Sequence, residues 1–317
     1  MTRIGSSDLS VFPLSLGGNV FGWTADRDTS FAVLDAFTAG GGDFVDTADS
    51  YSAWAPGNSG GESETILGEW LASRRPAGTV VATKVSQHPQ FPGLSAANVR
   101  RAAEASLGRL GVDAIDLYYA HFDDPSVPLE ETVAAFGRLV SDGLVRYVGV
   151  SNYSADRIRE WDRIARETGV ARPVAVQPHY NLVHRNDVEE SIAPLATELG
   201  LGLVPYSSLA SGFLTGKYRS TDTAGQTSPR AGGAAKYATA HGLRIIDALE
   251  EIGDAHGASI ASTALAWLRA QPAVVAPIAS ARTVDQVPDL LVGGRLELAP
   301  DEIDHLRRVS EWSPAQA

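Results

Sequence analysis

The sequence predicts an α/β fold, a single (β/α)8 TIM barrel spanning residues 1–317 as one domain, with an N-terminal β-hairpin and extra C-terminal helices. Three observations carry this. Short apolar runs recur as eight candidate strands, most of them separated by roughly 30 residues, the length of one strand-plus-helix unit. Between the runs, apolar residues repeat at the three-to-four spacing of a helix with one buried face. No linker or internal repeat divides the 317 residues, a length that closed α/β barrels reach as one domain.

Taken in order, residues 2–13 read as a hairpin turning at Ser6, Ser7 and Asp8, a cover for one end of the barrel. Strands are expected at Leu14–Leu16, Phe44–Asp46, Val80–Thr83, Ile115–Tyr119, Tyr147–Val150, Val174–Gln177, Gly202–Pro205 and Val274–Pro277. The helical stripes are Phe31/Leu34/Phe37, Ile66/Leu67/Trp70/Leu71, Val99/Ala103/Leu107/Leu110, Val133/Phe136/Leu139/Val140 and Ile158/Trp161/Ile164. Gly111, Gly143 and Gly169 follow the last periodic residues, where a left-handed cap is wanted, and Ser95 and Ser154 stand at N-cap positions. The exception is the stretch Tyr218–Lys236, polar and rich in small residues, with little to bury. It is expected to be mobile without ligand and to fold across a bound one, with Arg230 and Lys236 reaching its phosphates. Helices at 240–255, 259–270, 283–291 and 301–309 complete the expectation.

Composition narrows the function. Twenty-six basic against 38 acidic residues give a net charge of −12, and no run of five basic residues occurs, which opposes nucleic-acid binding. The absence of cysteine removes disulfides, thiolate metal sites and cysteine nucleophiles. Seven histidines form no HxH or HExxH pair, so no metal is expected. No signal peptide and no apolar run long enough to span a bilayer is found, which points to the cytoplasm, as a monomer or homo-oligomer. Residues 212–217 approach a phosphate-binding P-loop but place three residues, not four, between Gly212 and Gly216, and Tyr218 follows Lys217. No GxGxxG occurs, so a Rossmann dinucleotide site is not indicated.

The chemistry gathers at strand ends, where barrels of this class carry it. Asp46 ends the second strand, Lys84 the third and His121 the fourth, and Tyr51 follows in the loop after Asp46. A phenol with an ordinary pKa of about 10 needs a nearby cation to serve as an acid at neutral pH. Lys84 is placed to lower that value, Asp46 to hold the amine charged, and a neutral His121 to orient a carbonyl oxygen. Trp23, Trp54 and Phe122 are candidate walls for an apolar or ring-containing carbonyl substrate.

This Asp, Tyr, Lys and His set resembles that of the aldo-keto reductase superfamily, including the branch that contains voltage-gated potassium channel beta subunits. The likeness continues in Gly149-Val150-Ser151-Asn152, in Val176-Gln177-Pro178-His179-Tyr180-Asn181, in the segment from Pro205 to Lys217, and in Ala281-Arg282-Thr283. It implies NADP(H)-dependent reduction of an aldehyde or ketone by hydride transfer, with Tyr51 as general acid and Asp46, Lys84 and His121 as its helpers. The alternative it allows is a slow, nucleotide-binding regulatory subunit. By the same resemblance Ser151, Asn152 and Gln177 hold the nicotinamide carboxamide and Tyr206 stacks on the ring. Gly18, Asn19 and Asp46 border the cofactor, Ser207, Ser208, Leu209 and Lys217 hold its pyrophosphate, and Ser280, Arg282 and Gln286 its adenosine end. Ser280, Ser208 and Leu290 stand where members commonly have Gly, Pro and Asn.

Overall fold

A computed structural model describes residues 1–74, 76–221 and 228–311. Eight parallel strands form the sheet: β1 (Ser15–Gly17), β2 (Phe44–Asp46), β3 (Val80–Val85), β4 (Ile115–Ala120), β5 (Val145–Ser151), β6 (Pro173–Gln177), β7 (Gly202–Leu203) and β8 (Ile278–Ala279). Their hydrogen-bonded order is β7-β6-β5-β4-β3-β2-β1-β8. The barrel is drawn together by Leu203, whose N–H donates to Ala273 O and whose carbonyl accepts from Val275 N, both at 2.8 Å, and by Ile278 N donating to Pro205 O at 2.8 Å.

That closure corrects the last expected strand. The apolar residues Val274 and Val275 bond to β7, while the strand that pairs with β1 starts at Ile278. Pro277 has no N–H to give a ladder; its carbonyl accepts from Ser15 N at 2.9 Å, and regular pairing begins only after it.

Helices α1 (Arg27–Ala39), α2 (Glu62–Arg74), α3 (Ala96–Leu110), α4 (Leu129–Ser141), α5 (Ala155–Thr168) and α6 (Ala193–Leu199) follow β1 to β6 in turn. Four of the first five bury most of the expected stripe, and α2 buries Leu67 and Trp70 with Ile66 and Leu71 half-buried; Phe37, Leu67, Val99, Phe136 and Trp161 are fully enclosed. Gly111 and Gly169 end α3 and α5 in left-handed geometry, φ 65° and 68°, a region that costs a Cβ-bearing residue more. Ser154 caps α5 through Arg157 N, but Ser95 makes no side-chain cap. Its place is taken by Glu131, whose carboxylate accepts from Ala96 N at 2.8 Å and so ties α4 to the start of α3.

After β7 come a 3-10 segment (Ala210–Thr215), α7 (Ala231–Ala235), α8 (Ala240–His256) and α9 (Ile260–Arg269); α10 (Val287–Gly293) and α11 (Pro300–Val309) follow β8. The expectation that Tyr218–Lys236 has little to bury is not met over its described part. Tyr218, Ala231, Ala234 and Ala235 are buried, because alanine methyls let a short helix approach the 3-10 segment closely. Residues 222–227, on which the expected mobility also rested, lie outside the described residues.

At the opposite end Thr2–Arg3 and Ser10–Val11 form the expected hairpin. Its Gly5, at φ 50°, sits so close to the barrel floor that a Cβ would lie 2.2 Å from Val174 O. Ile4, Leu9 and Val11 pack there with Phe44, Leu117 and Val204 to fill the barrel interior. The floor is therefore closed, and the C-terminal strand ends are the open face.

Candidate active site

At that open face β2 and β3 are neighbours, pairing Asp46 with Ala82. The pairing sets Lys84 two residues beyond, with its side chain fully buried. Its ammonium donates to Asp46 Oδ2 at 2.6 Å, to Thr47 O at 2.6 Å and to Tyr51 Oη at 3.0 Å. Three acceptors match the three donors of a charged amine. Burial opposes that charge, but Asp46 and Tyr51 outweigh it and raise the Lys84 pKa above its ordinary value. Gln177 Nε2 donates to the other Asp46 oxygen at 2.8 Å, so both oxygens of the buried carboxylate are engaged.

Tyr51 departs from expectation in one respect. Burial raises its pKa, and the opposing pull of Lys84 does not cancel that rise. Lys84 therefore limits the increase rather than producing a phenol more acidic than free tyrosine. His121 behaves as expected: burial first, then Lys84, lowers its pKa well below the ordinary value, leaving a neutral imidazole. Its ring lies 6.2 Å from that of Tyr51, and its Nδ1 has no hydrogen-bond partner among the described residues.

Behind these side chains a second buried set ties helices to β3. Thr83 Oγ1 donates to Glu64 Oε1 at 2.5 Å, and Arg109 Nε donates to Glu64 Oε2 at 2.6 Å. Residues from α2, β3 and α3 thus meet at one carboxylate, bonded to the residue that precedes Lys84 in β3.

A cavity of about 650 Å³ opens over Asp46 and Tyr51. It runs between the 3-10 segment after β7 and the turn after β8. Lys217, Arg230 and Arg282 line it, and among the described residues no carboxylate pairs with any of the three. Burial and the neighbouring Arg282 lower the Arg230 pKa. The carboxylates of the lining are Asp46, already bonded to Lys84, and Asp289.

Residues 13–311 match the Aldo/keto reductase family. The chain belongs to that family. It is 34% identical over 310 residues to an uncharacterized oxidoreductase, YrpG, of Bacillus subtilis, covering 94% of this chain and 91% of that one. It is 32% identical over 324 residues to a probable voltage-gated potassium channel subunit beta of Oryza sativa, covering 98% and 97%. To norsolorinic acid reductase B of Aspergillus parasiticus it is 30% identical over 329 residues, covering 98% and 83%. Family membership makes this an oxidoreductase fold of a kind that generally uses nicotinamide cofactors.

The other candidate residues of this family member divide into two groups. Asn19, Tyr206, Ser207, Ser208, Leu209, Lys217, Ser280, Arg282 and Gln286 line the cavity, as do Trp23 and Trp54. Trp23 meets Trp54 edge to face at 5.6 Å, and Trp54 meets Tyr51 at 6.1 Å. Phe122 does not line it; its ring packs on His121 at 5.0 Å. Gly17, not Gly18, faces the cavity, because Gly18 turns its N–H to Asp46 O and its carbonyl to Ser63 Oγ.

Ser151, Asn152 and Gln177 lie beneath the cavity rather than on its wall. Ser151 Oγ donates to Gln177 O at 2.9 Å, and Asn152 Nδ2 donates to His121 O at 2.9 Å and Ser151 Oγ at 3.1 Å. Tyr206 donates its hydroxyl to Asn152 Oδ1 at 2.8 Å. At the far end Ser280 Oγ donates to Asn19 Oδ1 at 2.7 Å, and Arg282 N to Gln286 Oε1 at 2.8 Å. Lys236 does not line the cavity; its amine lies over Tyr237 at 4.8 Å. Arg230, expected with Lys236 to reach the ligand's phosphates, does line the cavity. Its guanidinium lies 5.7 Å from the Trp23 ring, a contact across 207 residues of chain that no local pattern encodes.

Proposed function

We propose that the protein reduces an aldehyde or ketone to an alcohol with NADP(H), and that Tyr51 is the general acid. The observation that carries this reading is the Lys84 ammonium, shared between a carboxylate and the phenol at the mouth of a cavity lined by Lys217, Arg230 and Arg282. Lys217, Arg230 and Arg282 suit a phosphate-bearing nucleotide: among the described residues none of the three has a carboxylate partner, in a chain of net charge −12. The hydride is what the bound nucleotide supplies, since no side chain here can.

As negative charge develops on the carbonyl oxygen, the Tyr51 O–H bond breaks and its proton passes to that oxygen. Lys84 Nζ, 3.0 Å from Tyr51 Oη, stabilises the tyrosinate left behind. A raised Tyr51 pKa keeps the proton on the phenol throughout the neutral range, so the acid form is the resting form. His121, held neutral, offers an N–H to the same oxygen without placing a second cation beside Lys84. Trp23 and Trp54 shield the reacting carbonyl from water and favour apolar or ring-bearing substrates. In the opposite direction tyrosinate is the base. Asn152 and Gln177 steady Tyr206 and Asp46, and through them the nicotinamide subsite.

The second reading has one specific support: several relatives bear the name of a channel beta subunit. An assay of NADPH consumption over a panel of aldehydes and ketones separates the two. Turnover with at least one carbonyl, abolished in Tyr51→Phe, supports the reductase; tight nucleotide binding with negligible turnover on every compound supports the regulatory subunit.

A further inference from the structure

Tyr206 presents two ring faces, and the structure accounts for one of them. The His179 imidazole lies on it, with centroids 5.3 Å apart and planes within 20°. On the far side of His179 lies His184, at 3.9 Å and 13°. The three rings form a column that starts at the cavity wall and leads away from it.

The chain beyond β6 builds this column. His179 and Tyr206 form a parallel bridge, and Asn181 and His184 exchange both backbone hydrogen bonds, at 3.1 and 3.0 Å, which turns His184 back over His179. The buried Asn181 donates through Nδ2 to Ser207 O at 2.9 Å and lies 3.4 Å from His179 Nε2. With its hydroxyl bonded to Asn152, the Tyr206 ring is held at its edge and over one face. Burial, then His184 and Lys236, pushes the His179 pKa down to about 4, so the middle ring is uncharged at neutral pH. Among the described residues no group of three potential metal ligands includes this pair.

We propose that His179 and His184 are positioning residues that back Tyr206, so that its free face receives the nicotinamide ring, and that they favour the oxidised, cationic form of the nucleotide over the reduced one. The inference rests on the nucleotide-binding reading above. Its physical basis is that stacked aromatic pairs stabilise one another, and that a cation is attracted to the electron-rich face of a ring held in place, whereas a neutral dihydronicotinamide gains only the stacking.

The experiment titrates NADP⁺ and NADPH separately into the full-length protein by calorimetry, for the wild type and for His179→Ala, His184→Ala and His179→Phe, with a thermal melt of each. His179→Ala is expected to weaken NADP⁺ binding by about tenfold and NADPH binding by about threefold, with His184→Ala intermediate. His179→Phe, which restores a flat ring, should return both to within about twofold of wild type. A stable His179→Ala protein that binds both nucleotides as the wild type does would overturn the proposal, as would equal losses that phenylalanine does not restore. Should His179→Ala not fold, His184→Ala carries the same test, since its ring contact is with His179. A wild-type protein that binds neither nucleotide would instead overturn the underlying reading of the cavity.

Discussion

Burial has the largest effect on the acidity of Tyr51 and raises its pKa; the Lys84 ammonium opposes that rise, Asp46 adds to it and Arg230 opposes it. Because burial prevails, the phenol keeps its proton past its ordinary value of about 10, while His121 stays neutral from about pH 6.5 upward. The kcat/KM for reduction should accordingly be flat between roughly pH 7 and 10. A break inside that window, absent from Tyr51→Phe, would show that Lys84 prevails over burial. Tyr51→Phe itself should lower kcat by at least about a hundredfold, the lower end for loss of general acid catalysis, with nucleotide affinity within about twofold of wild type. A variant retaining a tenth or more of wild-type kcat would remove Tyr51 from the role.

At the scale of elements, the hairpin and the post-β6 turn each make a separable contribution. Gly5 is held at φ 50° with a Cβ position 2.2 Å from Val174 O and 2.9 Å from Gly200 O. Gly5→Ala therefore forces the hairpin off the barrel floor and should cost on the order of 1 to 3 kcal/mol in urea unfolding, without altering turnover per folded molecule, since the site is at the other end. An unchanged midpoint would mean that the hairpin adapts without loss. The turn after β6 contributes an acid sensitivity. His179, with its pKa lowered from 6.5 to about 4, binds a proton more readily in the unfolded chain, so its stabilising contribution is complete above about pH 6.5 and is lost as pH falls towards 4. His121 adds in the same direction. Thermal melts of wild type and His179→Phe across that range test this: the wild type should lose more of its melting temperature on acidification than the variant does.

For the whole molecule, the setting is a net charge of −12 in which Lys217, Arg230 and Arg282 face one cavity. On the proposed function Arg282 meets a 2′-phosphate, a charge-assisted contact that NAD(H) cannot offer. Arg282→Ala should weaken NADP(H) by on the order of 1 to 3 kcal/mol and leave NAD(H) nearly unchanged. Salt should act in the same sense, weakening NADPH binding more than NADH binding between about 0.05 and 0.5 M, because screening acts on the extra phosphate charge. Equal salt slopes for the two nucleotides would show that the cations meet no 2′-phosphate.

Much of this architecture is legible along the chain. Strands buried on both sides read as short apolar runs, helices with one buried face read as stripes, and Asp46, Lys84 and His121 stand at or just past strand ends, with Tyr51 in the loop after Asp46, because a (β/α)8 barrel places every such end on one face. Those are local signals, carried by neighbours within a few residues. What only the tertiary structure decided are quantities that depend on distant parts of the chain. The start of β8 is set by which residues still have an N–H to give to β1 and which bond instead to β7. The Tyr51 pKa follows from the depth of its burial, which no spacing reports. Ser151 and Gln177, polar residues at strand ends, turned inward to bond with one another and with Asp46, while Arg230, in a stretch without periodicity, reached the cavity beside Trp23. Periodicity records which face of an element is buried; where a polar side chain finds its partner depends on the three-dimensional closure of the barrel, and that is known only once the chain is folded.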